Sequence, residues 1–148
     1  MNREIKFRGK RIKNGEWVYG DLLQKNSGRK VIMTNLHTWG DNPDDVEPYG
    51  EYITVNPNTI GQYTGIKDKN GKEIYEGDII ECISCNGKPI RHYIKFCEER
   101  GYYAQYDKGT SAGELYECGP ICQHYIDEIG KYVIGNIHDN PELLNKND

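Results

Sequence analysis

The architecture of this chain is written most plainly in Gly61-Gln62-Tyr63-Thr64-Gly65-Ile66-Lys67-Asp68-Lys69-Asn70-Gly71-Lys72-Glu73-Ile74-Tyr75-Glu76-Gly77-Asp78-Ile79-Ile80. A strand-like run enters a charged tip centred on Asn70-Gly71 and leaves through Glu73-Ile74-Tyr75. That pattern predicts a β-hairpin, because Asn-Gly readily adopts the positive φ angles of the tightest hairpin turns. Glu76-Gly77-Asp78 then bends the chain into a strand, Ile79 to Ile83. A carboxylate at such a bend is read as an acceptor of backbone N–H bonds, which gives Asp78 a structural role. Gly61, Gly65, Gly71 and Gly77 sit where strands reverse or bend, and the spacing matches no phosphate-cradling loop.

Downstream, Asn86-Gly87 turns the chain into a strand over Pro89 to Phe96, where Tyr93 and Lys95 alternate with Ile94 and Phe96. Tyr102 to Tyr106 reads as one more strand. Between Gly119 and Gly130, Ile121, Cys122, Tyr125, Ile126 and Ile129 recur at gaps of three and four, which predicts a short amphipathic helix that needs tertiary support. Tyr132 to Ile137 is a final strand, and Asn140-Pro141 starts one helical turn. Upstream, Tyr52 to Val55 is strand-like and stops at Asn56-Pro57, another capped turn. Residues 36 to 50 hold Pro, Gly, Asn and acids without periodicity, so residues 36–51 are expected to form an exposed loop. The N-terminal residues 1–35 read as a hairpin or meander: Ile5 and Phe7 are expected on one face, Lys6 and Arg8 on the other, with a turn at Asn14-Gly15 and a return through Trp17 to Leu23.

The 148 residues suit one domain, and the apolar share of 36% against 28% charged permits a thin core. Twelve of the aromatic residues are Tyr, against two Phe and two Trp; with 17 Gly and six Pro this favours short half-buried strands and tight turns over long helices. A mean hydropathy of −0.85, with no apolar run approaching the roughly 20 residues of a membrane span, excludes a helical membrane protein. The basic start is followed by no apolar signal core, so a cytoplasmic location is expected. Net charge is −4, yet it is unevenly spread. Residues 1 to 31 hold nine Lys/Arg and three Asp/Glu, whereas residues 41 to 52 hold five acids and no base.

Three chemistries deserve a test against the residues. Cys82, Cys85, Cys118 and Cys122 have gaps of two and three, so four thiolates could surround a tetrahedral zinc ion in a zinc-stabilised interaction module. The strand context of Cys82 fits a small apolar filler better, and no metal ligand or cofactor is assigned. His37, His92, His124 and His138 are scattered, and Ser27, Ser84 and Ser111 lie in no nucleophile elbow, so the expectation is a protein with no catalytic residues and no enzyme activity. The third chemistry is single-stranded nucleic-acid binding. Lys6, Arg8, Lys10, Arg11 and Lys13 beside Trp17 and Tyr19 offer cations and rings for backbone and bases, although the acidic chain as a whole opposes it.

The run from Gly61 to Ile80 resembles the hallmark of the YopX family, small proteins encoded by phages and prophages. Arg3-Glu4-Ile5-Lys6-Phe7-Arg8 is similar to the family's first strand, and Val133-Ile134-Gly135-Asn136-Ile137-His138-Asp139-Asn140-Pro141-Glu142-Leu143-Leu144 to its closing segment. Gly9-Lys10 and Asn56 depart from the family pattern at a surface turn and a cap. The resemblance implies a β-rich phage protein and supplies no catalytic residues. The combined expectation is a mainly β, β-rich α+β protein forming a single domain over 1–148. A small SH3-like or pseudo-barrel sheet would be capped by one short helix near 119–130, with its core in residues 52–144. Its expected role is that of an accessory protein acting by contacts with a phage or host protein and with itself as a homo-oligomer, since edge strands are readily paired between copies.

Overall fold

A computed structural model describes residues 4–37, 49–83, 86–99, 101–106 and 116–144 of the chain. The structure is β-rich, with eleven strands and one short α-helix among the described residues. Its contacts fall into two compact units, Met1–Gln62 and Tyr63–Asp148. Residues 52–62, expected with the later core, group instead with the N-terminal strands.

The N-terminal unit contains β1 (Phe7–Lys10), β2 (Trp17–Gln24), β3 (Lys30–His37) and β4 (Tyr49–Thr54), paired antiparallel in the order β4-β3-β2-β1. Strand β2 serves two partners. Trp17 to Gly20 pairs with β1, and Asp21 to Gln24 pairs with β3. The changeover is at Gly20, where an added Cβ would lie 1.9 Å from the Met33 carbonyl oxygen, so the bend admits no side chain. At its far end the ladder turns back on itself. Thr54 opposes Val31 of β3, while Val55 bridges to Arg11 just after β1, and Asn56 N–H donates to the Lys10 carbonyl at 2.8 Å. The barrel-like curl therefore includes the first strands, which had been expected to form a separate hairpin. Val18, Ile32 and Val55 fill it, with Leu22, Ile53 and Ile60 packed against them. Gly9 keeps the interior narrow: a Cβ there would meet Val55 Cβ at 3.0 Å.

A short 3₁₀ turn, Pro57–Thr59, follows, with Asn56 Oδ1 accepting from the Asn58 N–H as the cap reading anticipates. Strand β5 (Gly61–Lys67) pairs through Gly61 and Gln62 with β1. The expected loop over 36–51 falls mostly outside the described residues; Leu36 and His37 end β3, and Tyr49 already begins β4.

In the C-terminal unit the remainder of β5 pairs with β6 (Glu73–Tyr75), giving the anticipated hairpin. Its turn has Gly71 at φ 82°. Five further strands, β7 (Asp78–Ile83), β8 (Pro89–Cys97), β9 (Gly101–Tyr106), β10 (Tyr116–Pro120) and β11 (Tyr132–Asn136), form an antiparallel sheet in the order β10-β9-β8-β7-β11. Helix α1 (Gln123–Ile129) is shorter than the expected 119–130, because Tyr116 to Pro120 is drawn into the sheet beside β9. Ile126 from the helix joins Ile74, Ile80, Ile94, Tyr102, Ala104 and Ile121 in the core. A seven-residue helix is marginal alone, and this apolar contact is what holds it. The expected turn near the end of the chain is the 3₁₀ segment Pro141–Leu143.

Candidate functional site

The buried polar side chains Thr64, Asp68 and Asp78 of the Gly61–Ile80 stretch are spent on the backbone. Asp68 is buried; its Oδ1 accepts from the N–H groups of Asn70 and Lys72 at 2.8 and 2.9 Å, and its Oδ2 from Val133 at 3.0 Å. Asp78 Oδ2 accepts from the Tyr75 N–H at 2.8 Å, in the role the sequence assigned to it. Gly77, at φ 81°, donates its N–H to Ile94 and accepts from Ile137. In the closing segment Asn136 Oδ1 accepts from the N–H groups of His138 and Asp139, and its Nδ2 donates to Asp139. Each bond of this kind is worth about 1 kcal/mol net, and more is lost when one buried partner is removed. These residues specify architecture.

The seven residues assigned to a nucleic-acid face are divided between the β1–β2 hairpin and the segment that follows β1. Alternation on the β1–β2 hairpin puts Arg8, Lys10, Trp17 and Tyr19 on one face, since Arg8 opposes Tyr19 and Lys10 opposes Trp17. Arg8, however, is only 6% exposed, and Ile5, expected in the core, is 65% exposed. The alternation itself holds, with Gly9 and Val18 on the interior side that Phe7 shares; Ile5 precedes the strand, and Arg8 on the other face is covered by packing, its guanidinium lying over the Trp17 ring at 4.6 Å. Lys10 Nζ lies over the same ring at 5.4 Å. Such cation–ring contacts contribute about 0.5–2 kcal/mol, so a base stacking on Trp17 would have to displace them. Lys6 is half-buried, with Glu4 at 4.0 Å, and Tyr19 is exposed.

Arg11 and Lys13 belong to a different feature. With Arg29 they line an open groove of about 540 Å³ whose apolar walls are Ile12, Tyr52 and Ile53. A smaller hollow of about 390 Å³ shares Arg11 and Ile12 and adds Lys10 and Pro57. The backbone builds the groove directly: Ile12 N–H donates to the Thr54 carbonyl, so the segment after β1 and the end of β4 are held side by side. Ile12 and Tyr52 are 65% and 56% exposed. No acidic residue is among the described lining residues; the neighbouring Glu51 does not line the groove. Among the described residues, the side chains of Arg11, Lys13 and Arg29 make no hydrogen bond or ion pair, and Arg11 Nε is buried without a partner. Leaving a charged donor buried and unsatisfied costs upwards of about 1–3 kcal/mol, which an incoming carboxylate would relieve with a charge-assisted bond. Ile12, Arg29 and Tyr52 were missing from the residues assigned by sequence, because only the bend of β4 toward Arg11 brings them together.

The thiol set lies only partly within the described residues. Cys82 is buried on β7 and Cys122 is exposed, neither in a disulfide; Cys85 lies outside the described residues, as does the side chain of Cys118. Among the described residues no three His, Cys, Asp or Glu side chains are placed to hold a metal ion. His124 is exposed, whereas His92 is buried on the core side of β8. Burial first, and the charge of Lys131 second, lower the His92 pKa to about 4. Lys131, only 1% exposed, follows the helix terminus. No helix among the described residues is long and apolar enough to cross a membrane.

A family model described as YopX protein matches residues 6–145, nearly the entire chain. The chain belongs to the YopX family. Among solved structures it is similar to "protein EF1440 from Enterococcus faecalis", at 29% identity with a TM-score of 0.67, over 95% of this chain and 98% of that one. No curated protein matches it. The family hallmarks thus coincide with Asp68, Gly77, Asp78 and Asn136, whose bonds are structural, while the groove residues lie outside them.

Proposed function

We propose that this YopX-family chain is a non-enzymatic, phage- or prophage-encoded accessory protein that works by protein contacts. Its contact surface is the basic and apolar groove of the N-terminal unit, and its partner presents carboxylates beside apolar side chains. The observation that carries the reading is the set of three cations without ion pairs, Arg11, Lys13 and Arg29, next to exposed Ile12 and Tyr52. Interfaces are enriched in Tyr and Arg at their centres, and charges left unpaired at a surface steer an oppositely charged partner. The polar atoms of the hallmark segments are engaged in holding turns, which supports a binding role over a catalytic one.

The test replaces Tyr52 with the photocrosslinker p-benzoylphenylalanine in cells that produce the protein. Specific protein adducts are expected from position 52, lost when Arg11→Glu and Arg29→Glu are combined with it. Adducts no more abundant than those from the same probe at exposed Lys88 in the other unit would refute the reading.

A further inference from the structure

The charge of the chain is divided between its two units. Residues 1–62 carry nine Lys/Arg and eight Asp/Glu, and residues 63–148 carry ten and fifteen, so the formal charges are +1 and −5. A protein whose basic groove belongs to the less acidic unit holds a complementary surface in its own sequence. The most suitable described segment is the tip of the β8–β9 hairpin. Glu98 and Glu99 are exposed there and make no hydrogen bond or ion pair among the described residues. Beside them Phe96 is 48% exposed and is steadied edge-on by the buried Tyr102 ring at 5.2 Å. Lys95 is exposed as well, yet alternation places it on the opposite face of β8 from Phe96. The tip therefore offers what the groove lacks: two carboxylates next to an ordered aromatic ring.

Resting on the groove being a protein-contact site, we propose that its partner is a second copy of this chain. The groove at Arg11, Lys13, Arg29 and Tyr52 of one copy receives the Phe96, Glu98 and Glu99 tip of the next. Because the two surfaces differ, the contact is heterologous, and a pair of copies keeps one free groove and one free tip. Such contacts build rings or open chains and do not stop at dimers. The attraction weakens as salt rises, since the charges lie at the surface.

Sedimentation velocity on the full chain tests this with two charge-reversed variants. Wild type is expected to form species larger than a dimer across the micromolar range, dissociating in high salt. Arg11→Glu with Arg29→Glu removes the groove, Glu98→Lys with Glu99→Lys removes the tip, and each variant alone is expected to associate at least about tenfold more weakly. Their equimolar mixture restores one intact groove and one intact tip and sets a reversed groove against a reversed tip of opposite charge, so it is expected to recover association that neither variant shows alone. Circular dichroism confirms that both variants are folded, and Phe96→Ala supplies a second tip variant should either fail.

A wild-type monomer at all concentrations, or a mixture that does not associate, overturns the proposal. Crosslinks from position 52 to other proteins together with a monomeric chain would overturn the second copy as partner while leaving the groove as a protein site. Fluorescent oligodeoxythymidylate that binds monomeric wild type, and is released by Arg11→Glu with Arg29→Glu, would make the groove a nucleic-acid site and overturn both.

Discussion

The two units of this protein spend their sequence differently. In the N-terminal unit a small interior of Val18, Ile32 and Val55 is closed by backbone contortion, with Gly9 and Gly20 marking where strands press together. In the C-terminal unit a larger set of apolar side chains, from Ile74 to Ile126, is organised by buried polar groups that clamp turns. The first unit leaves cations unpaired at its surface, whereas the second engages Arg91 with Glu81 at 2.7 Å and with the Leu143 carbonyl. The contrast separates a unit held by close backbone packing from one held by buried polar clamps, and the family match covers both.

The comparison breaks most sharply at Gly20. Gly20→Val drives a side chain into the Met33 carbonyl, and the expected loss exceeds about 4 kcal/mol, read as loss of amide-exchange protection over β1 to β3. Protection retained there would mean that β2 need not bend. In the C-terminal unit Ile94→Ala removes a side chain from the centre of a packed core and is expected to cost about 2–5 kcal/mol in denaturant unfolding. A cost under about 1 kcal/mol would show that core to be loosely packed.

Acid should act on the C-terminal unit through His92. His92 is neutral in the fold, with its pKa lowered to about 4, so the unfolded chain takes up a proton first as pH falls below the ordinary value of 6.5. Stability contributed by neutral His92 is fully present above pH 6.5, declines as pH drops towards 4 and levels off below it, a total of about 3 kcal/mol. Unfolding curves across that window check this, and His92→Leu should flatten the decline; an unchanged slope contradicts it. Smaller still, Asp68→Ala leaves three backbone N–H groups without their acceptor and is expected to cost about 1–3 kcal/mol, with faster exchange at Asn70, Lys72 and Val133.

Local chemistry made much of this fold legible. Gly71, Asn56-Pro57 and Pro141 act where their φ preferences say they should, although Asn140 makes no cap bond and accepts instead from the Asn136 N–H, and the alternation across β8 already places His92 on the side of Ile94. Reading failed where tertiary packing decides burial. On β1 the faces alternate as read, yet Arg8, stacked on Trp17, is buried while Ile5, ahead of the strand, stays in water, and the pattern of apolar and charged letters contains no trace of that. The start of the helix near 119–130 misled for a related reason: Tyr116–Pro120 pairs with β9, so the helix begins only at Gln123. The groove was half legible. Arg11 and Lys13 stood out as charge, but Arg29 and Tyr52 join them only through the bridge from Val55 to Arg11.

Amide hydrogen exchange, compared between the protein diluted to monomer in buffer and the same protein in an extract of the cells that produce it, measures most directly whether the N-terminal groove is the working surface. Added protection is expected in peptides spanning Lys10–Glu16, Arg29–Val31 and Glu51–Val55, and it should vanish with Arg11→Glu and Arg29→Glu. Protection that leaves those peptides unchanged, or that is untouched by the two substitutions, would contradict the account.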